Sequence, residues 1–152
     1  MSHTLICSPT SPFVRKAMVL RLEAGLQDRV ALQPVTTNAL NTAADARAAN
    51  PLGKIPALLR DGGSTLIDSR VICRYLDELA ESNLYPADRL YDVLSLEALA
   101  DGMMESAVSM VYEALLRPET ERSPTWVEAQ WSKVSHALAA LERGDFAALQ
   151  GD

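Results

Sequence analysis

The chain opens on a β-type run, Thr4-Leu5-Ile6-Cys7, cut off by Ser8-Pro9-Thr10-Ser11-Pro12, where two prolines remove backbone donors and fix φ. Ser11 followed by Pro12 is the N-cap and first-position pairing of a helix. From Phe13 to Ala24 apolar residues recur at Val14, Met18 and Leu22, and Gly25 closes the segment. Val30 to Val35 reads as a second strand, which Pro34 restricts to a sheet edge or to its own end. Residues 36–50 are small and polar, Ala-rich enough for one irregular helix, and stop at the turn signal Asn50-Pro51. Ile55 to Leu59 and Thr65 to Ile67 flank Asp61-Gly62-Gly63, whose glycines supply the positive φ of a hairpin, so two antiparallel strands are predicted. Asp68 and Ser69, both N-cap types, stand before Val71, Ile72, Tyr75, Leu76 and Leu79, a helical stripe running to about Ala80. The order is β-α-β-(α)-β-β-α.

Beyond Pro86 no strand signal appears. A long helix starts near Asp88 and keeps apolar residues at Val93, Leu96, Ala100, Met103, Ala107 and Met110 or Val111 until Arg117-Pro118 stops it. Ser123-Pro124 repeats the cap pairing. The next helix places Val127, Trp131, Val134, Leu138 and Leu141 on one face, with Gly144 as its C′ residue. The expectation is therefore an α/β unit over residues 1–81 and an all-α unit over 88–152, without internal repeat.

Composition narrows the function. Of 152 residues, 48% are hydrophobic and 22% charged, the balance of an ordinary globular protein. The 14 Lys and Arg are outnumbered by 20 Asp and Glu, a net charge of −6, with no basic run to displace counterions from nucleic acid or to meet an anionic membrane. No apolar stretch approaches the roughly 20 residues of a membrane span, and MSHTLICSPT has neither a basic n-region nor a continuous apolar h-region, so a cytoplasmic protein is expected. Cys7 and Cys73 form no C-x-x-C and share no ligand spacing with His3 or His136. They are expected to pack as small hydrophobes, with neither disulfide nor metal, and the histidines have no partner identifiable from the sequence.

Two features carry chemistry. Proline opening a strand at Gly53-Lys54-Ile55-Pro56 is awkward unless the Ile55-Pro56 bond is cis, an isomer that tightens the turn and exposes the preceding amide and carbonyl to an extended peptide. Asp68 and Ser69 at a helix start offer a partly positive terminus and a hydroxyl to a carboxylate, although an Asp-Ser pair there is by itself most often a plain cap.

The succession S-P-T-S-P-F-V-R-K, N-P-L-G-K-I-P-A-L and D-S-R-V-I-C-R-Y-L-D, ahead of an all-helical unit, resembles the cytosolic glutathione transferases, above all bacterial members and the theta, zeta and omega types. The likeness extends to about Gly144. It implies a thioredoxin-like N-terminal domain, a helical domain that supplies the electrophile pocket, glutathione as co-substrate, a two-fold dimer and no metal. It implies that Pro56 is the cis-proline, that the Ile55 backbone pairs with the cysteinyl part of glutathione with Lys54 close by, and that Asp68 and Ser69 hold the γ-glutamyl ammonium and carboxylate. Asp101 resembles the acid that some members extend towards the neighbouring subunit's glutathione, with a solvated helix acid as the plainer reading. Met103, Met104, Ala107, Val108 and Tyr112 would line part of the electrophile pocket, or simply fill core. Arg15 and Lys16 would add positive potential near the sulfur, or belong to a solvated helix face.

The family activates the thiol with Tyr, Ser or Cys in the first loop, where this chain offers Ser8, Thr10 and Ser11. Ser11 is preferred because its Ser-Pro-Phe context resembles the Cys-Pro-Phe of omega-type members and because a capping hydroxyl can accept a backbone N–H while donating its own proton. The chain departs from the family after Gly144, where several further helices are expected and only residues 145–152 remain. The faces carrying Trp131, Leu138 and Leu141 are then expected to need a partner, unless the chain is a fragment. Two functions follow: a transferase adding glutathione sulfur to an electrophilic carbon, or a non-catalytic interaction module on the same fold. Dithiol exchange is disfavoured, since no second cysteine neighbours the first loop.

Overall fold

The computed structural model describes residues 3–144. They divide into two units, one ending at Leu84 and one beginning at Tyr85. The first contains β1 (His3–Cys7), α1 (Pro12–Glu23), β2 (Val30–Pro34), α2 (Ala44–Ala49), β3 (Ala57–Arg60), β4 (Leu66–Ile67) and α3 (Ser69–Ala80). The sheet order is β2-β1-β3-β4, with β1 and β2 parallel across α1 and the other pairs antiparallel. This mixed sheet with its helices is the thioredoxin-like arrangement. β2 lies on the edge, where the missing N–H of Pro34 breaks no ladder.

Alternation along the strands sorts the core into two faces. Ile6 and Ala57 meet Ala46 and Ala49 of α2, with Val35, Ala43, Ile55 and Leu59 packed around them. Leu5 and Leu58, paired directly across β1 and β3 and fully buried, point to the opposite face. The small alanines let α2 approach the sheet closely. Two strands start later than their hydrophobic runs: β3 at Ala57 rather than Ile55, and β4 at Leu66 rather than Thr65. The reason at β3 is Pro56, which has no N–H for a ladder.

Both cysteines are buried thiols, and burial pushes Cys7 above its ordinary pKa. The histidines have partners that the sequence did not disclose. His3 is buried, its Nε2 3.3 Å from the Tyr75 hydroxyl and its ring edge-on to Tyr75, whose other contact is the Arg60 guanidinium 5.2 Å from the ring centroid. Desolvation, then the charges of Arg29 and Arg60, keeps the His3 pKa below 6.5. His136 lies on the second unit with Nδ1 2.6 Å from the Ser132 carbonyl oxygen.

In the second unit a 3₁₀ turn, Ala87–Arg89, leads into α4 (Leu90–Leu116), and α5 (Pro124–Glu142) follows after Ser123, whose hydroxyl accepts the Trp126 N–H. No helix among the described residues is long and apolar enough to cross a membrane. The buried residues of α4 are Asp101, Ser106 and Glu113, and those of α5 are Gln130 and Val134. Trp131 and Leu138 remain 48% and 47% exposed. One of these polar groups is buried because it solves a capping problem. Glu113 accepts the Ser123 backbone N–H at 2.8 Å with one oxygen and pairs with Arg117 at 2.8 Å with the other, closing the α4–α5 turn.

Removing that carboxylate orphans an N–H at the start of α5. Glu113→Ala is therefore expected to lower the unfolding free energy by about 2 kcal/mol, and Glu113→Gln, which keeps an acceptor, by less than half of that. Urea titration followed by the fluorescence of Trp126 and Trp131, both on α5, measures the difference. Equal losses would assign the effect to the half-exposed Arg117 pair instead.

Candidate functional site

The register fixes where the three sequence motifs end. Ile6 of β1 stands opposite Ala57 of β3, and Ala57 stands opposite Ile67 of β4. One step beyond this row, the chain continues into Cys7 and the Ser8–Ser11 loop, back to Pro56 and Ile55, and on to Asp68 and Ser69. Segments some fifty residues apart in sequence thus meet at one end of the sheet.

The Ile55–Pro56 peptide is cis. Pairing in β3 begins at Ala57, so the Ile55 backbone lies outside the ladder on both sides. Ile55 itself is half-buried against the α2 cluster, and Lys54 is exposed. Sequence reasoning read Asn50 only as part of a turn; the structure gives it the loop. Buried to 2% exposure, it donates from Nδ2 to the Lys54 carbonyl at 2.9 Å, accepts the Leu52 N–H at 3.0 Å and accepts the Gly53 N–H on its own carbonyl at 2.7 Å. Gly53, at φ +64°, completes the turn: a Cβ there would collide with Thr42 Cγ2. An asparagine three residues ahead of such a glycine was the available signal.

Asp68 caps α3 from φ 74°, ψ 132°, a region costly for any residue with a Cβ. Its carboxylate accepts the Arg70 N–H at 2.9 Å and both Nε and Nη2 of Arg70 at 3.1 and 3.2 Å. These bonds from Arg70, outweighing desolvation and helped by the Lys16 charge, hold its pKa below 3.8. Sequence reasoning assigned no role to Arg70. Ser69, the first residue of α3, is 4% exposed, and its hydroxyl has no hydrogen-bond partner among the described residues.

In the first loop Ser11 accepts the Val14 N–H at 3.3 Å, a true N-cap, so its own proton is free for another acceptor. Ser8 and Thr10 instead spend a hydroxyl on each other, 3.1 Å apart. The structure thereby brings together Ser11, Ile55, Pro56, Asp68 and Ser69, with Lys54 on the adjoining loop. Asp101, Met103, Met104, Ala107, Val108 and Tyr112 all sit on α4, in the second unit. Met104, Val108 and Tyr112, spaced four apart, share one face, about 100° round the helix from the Ser109 and Glu113 row that bonds α5. Met103, Met104 and Val108 are part-buried, while Ala107 and Tyr112 are exposed, so this set forms a surface and not a core. Asp101 is 4% exposed, which corrects its reading as a solvated helix acid.

Comparison with known proteins gives the same family. Residues 10–79 match the glutathione S-transferase N-terminal domain. The chain is 36% identical over 141 residues to the uncharacterized GST-like protein YibF of Escherichia coli K12, covering 91% of this chain and 67% of that protein. It is 30% identical over 139 residues to glutathione S-transferase 4 of Zea mays, covering 87% of this chain and 61% of that one. The chain thus spans about two thirds of the length of these relatives. Among solved structures, a glutathione transferase family member from Pseudomonas fluorescens Pf-5 with bound glutathione superimposes with a TM-score of 0.89 at 42% identity, over 94% of this chain and 71% of that one. A Pseudomonas fluorescens family member is also known with bound S-(propanoic acid)-glutathione. The theta-class glutathione S-transferase of Xanthomonas axonopodis pv. citri, with glutathione bound, follows at a TM-score of 0.70 and 26% identity, over 93% and 69%. This chain belongs to the glutathione S-transferase family.

Proposed function

We propose that this chain binds glutathione at the end of its sheet and adds the thiol sulfur to an electrophilic carbon of a small molecule. The observation that carries the reading is the meeting at one sheet end of an Ile55 backbone outside the ladder, a Ser69 hydroxyl that no described residue hydrogen-bonds, and a capping Ser11 with a spare proton. Each suits one part of the tripeptide. The Ile55 amide and carbonyl extend the ladder by one peptide to the cysteinyl residue, and Lys54 stands near the acidic ligand. Ser69 and the α3 terminus donate to the free α-carboxylate of the γ-glutamyl residue, while Asp68 takes its ammonium. Ser11 donates to the thiolate.

The glutathione carried by the Pseudomonas and Xanthomonas relatives supports the ligand, and the S-substituted glutathione on a Pseudomonas protein supports an S-conjugate as product. Family likeness alone supports the remaining parts: the pocket of Met103, Met104, Ala107, Val108 and Tyr112, the role of Asp101 towards a neighbouring subunit, a cytoplasmic homodimer and a part in detoxification. Calorimetric titration with glutathione, paired with conjugation to a generic aryl halide, tests the proposal. Saturable binding with conjugation is expected. Binding without conjugation would make the chain a non-catalytic module on a transferase fold, and no binding would remove the site altogether.

A further inference from the structure

The sheet end opposite the Ser8–Ser11 loop holds a buried base that the proposed chemistry does not use. His3 opens the central strand: its backbone N–H donates to the Arg29 carbonyl at 3.0 Å, and it stands opposite Val30 of β2 and Arg60 of β3, in the first rung of both ladders. The side chain is 1% exposed. Its Nε2 lies 3.3 Å from the Tyr75 hydroxyl of α3, and its Nδ1 is buried with no hydrogen-bond partner among the described residues. A neutral imidazole tolerates that arrangement, because its single N–H can go to the Tyr75 oxygen and leave Nδ1 a bare acceptor. A protonated ring has two N–H groups. The second then sits in the interior with nothing to accept it.

The surroundings repel a positive ring as well. Arg29 before β2, Arg60 on β3 and the chain's α-amino group bring positive charge to bear on it, and Asp61 alone brings negative charge; α3 contributes Tyr75. Both guanidiniums are tethered, Arg29 Nη1 to the Leu79 carbonyl at 2.9 Å, and Arg60 Nε and Nη2 to the Ser64 carbonyl and hydroxyl at 2.8 and 3.0 Å. Arg60 also lies over the Tyr75 ring, so neither cation is free to swing clear. We infer that His3 is a proton-operated latch: neutral, it closes β1 onto α3 through Tyr75, and on taking up a proton it loosens the first unit. The sign follows from burial first and the surrounding positive charges second, which hold the pKa of the closed state below 6.5. Between that pKa and an ordinary value near 6.5, the opened chain binds a proton that the closed chain refuses. The unit therefore has its full stability above about pH 6.5 and loses it as the pH falls. The latch works whatever the other sheet end binds.

Both cysteines, Cys7 and Cys73, are buried in the first unit and the second has none, so thiol labelling reads the opening of this unit alone. The full chain is labelled with 4,4′-dithiodipyridine at about pH 7.5 and about pH 5.5, and each rate is divided by that of the urea-unfolded chain at the same pH to give an opening constant. His3→Gln keeps a group able to bond Tyr75, and His3→Phe keeps a ring; neither takes up a proton. On acidification the opening constant of the parent should rise about three to ten times more than that of either variant, ten being about the limit for one proton with an open-state pKa near 6.5. His136→Gln, on the second unit, should respond as the parent does. Independently of any variant, NMR titration of the folded parent should find the His3 ring titrating below about pH 6.5. A rise less than about threefold greater than that of a folded His3 variant overturns the inference. So does loss of the response in His136→Gln, or a His3 midpoint at or above about pH 6.5.

Discussion

Ser69→Ala is expected to weaken glutathione binding by about tenfold to a hundredfold, the worth of one hydrogen bond from a neutral hydroxyl to a carboxylate, about 1.5–3 kcal/mol. The substitution is clean. In the free protein the Ser69 hydroxyl makes no hydrogen bond to the described residues, and the cap of α3 is made by Asp68, which stays in place. Alanine is the better helix former and fills less of a position that is 4% exposed, so folding stability should hardly change. The loss should also depend on the ligand's carboxylate: 4-aminobutyryl-Cys-Gly, which lacks it, should bind parent and Ser69→Ala with affinities within about twofold, since no hydrogen bond is there to lose. Calorimetry on the two ligands and two proteins closes a cycle. Glutathione bound by Ser69→Ala within threefold of the parent would place the carboxylate elsewhere.

What the sequence disclosed, and what it concealed, divides along the distance over which each feature is determined. Ser11-Pro12 and Ser123-Pro124 were legible as helix starts because a cap is settled within three residues, and both hydroxyls do accept the expected N–H. Gly25 and Gly144 were legible likewise, at φ +66° and +80° after α1 and α5. Pro56 was legible because a proline has few ways to open a strand. The convergence of Ser11, Ile55 and Ser69 is a matter of register between strands far apart in the chain, and the residue likeness, not periodicity, anticipated it.

The failures have one physical cause: hydrophobic periodicity sees apolar atoms only. Buried polar groups satisfied by backbone leave no trace in it. Asn50 is buried because three bonds of one turn need it, and Glu113 because an N–H ten residues onward needs it. The apolar stripes of α4 and α5 therefore gave no sign that Glu113 and Gln130 are buried. Arg70 escaped notice for a different reason, since a charged residue in the first turn of a helix is ordinary until its fork is seen on Asp68.

Ser11→Ala is expected to lower turnover by about tenfold to a hundredfold while changing glutathione affinity only a few-fold, because the hydroxyl acts on the thiolate rather than on the bound tripeptide. Lowering a thiol pKa from about 8.5 to about 6.5 needs about 2.7 kcal/mol of preference for the anion. One hydrogen bond to a charged sulfur contributes about 1.5–3 kcal/mol, and the start of α1 up to about 2 more, so neither a metal nor a general base is needed to account for activation. The geometry permits both at once: Ser11 accepts the Val14 N–H at 3.3 Å and keeps its proton for the sulfur, whereas Ser8 and Thr10 are bonded to each other. Alanine also removes the cap, which costs about 1 kcal/mol of stability, so a second variant is needed to separate the effects. Ser11→Asp caps the helix at least as well, yet has no proton to give near neutral pH and sets a negative charge beside the sulfur. The pKa of bound glutathione, followed by the ultraviolet absorbance of its thiolate, should rise by one to two units, by about the same hydrogen-bond energy, in Ser11→Ala and further in Ser11→Asp, although only the first is less stable. Turnover that survives in both variants would hand the role to the Ser8–Thr10 pair, and a thiol pKa that tracks stability instead of hydroxyl content would leave the helix terminus as the whole of the activation.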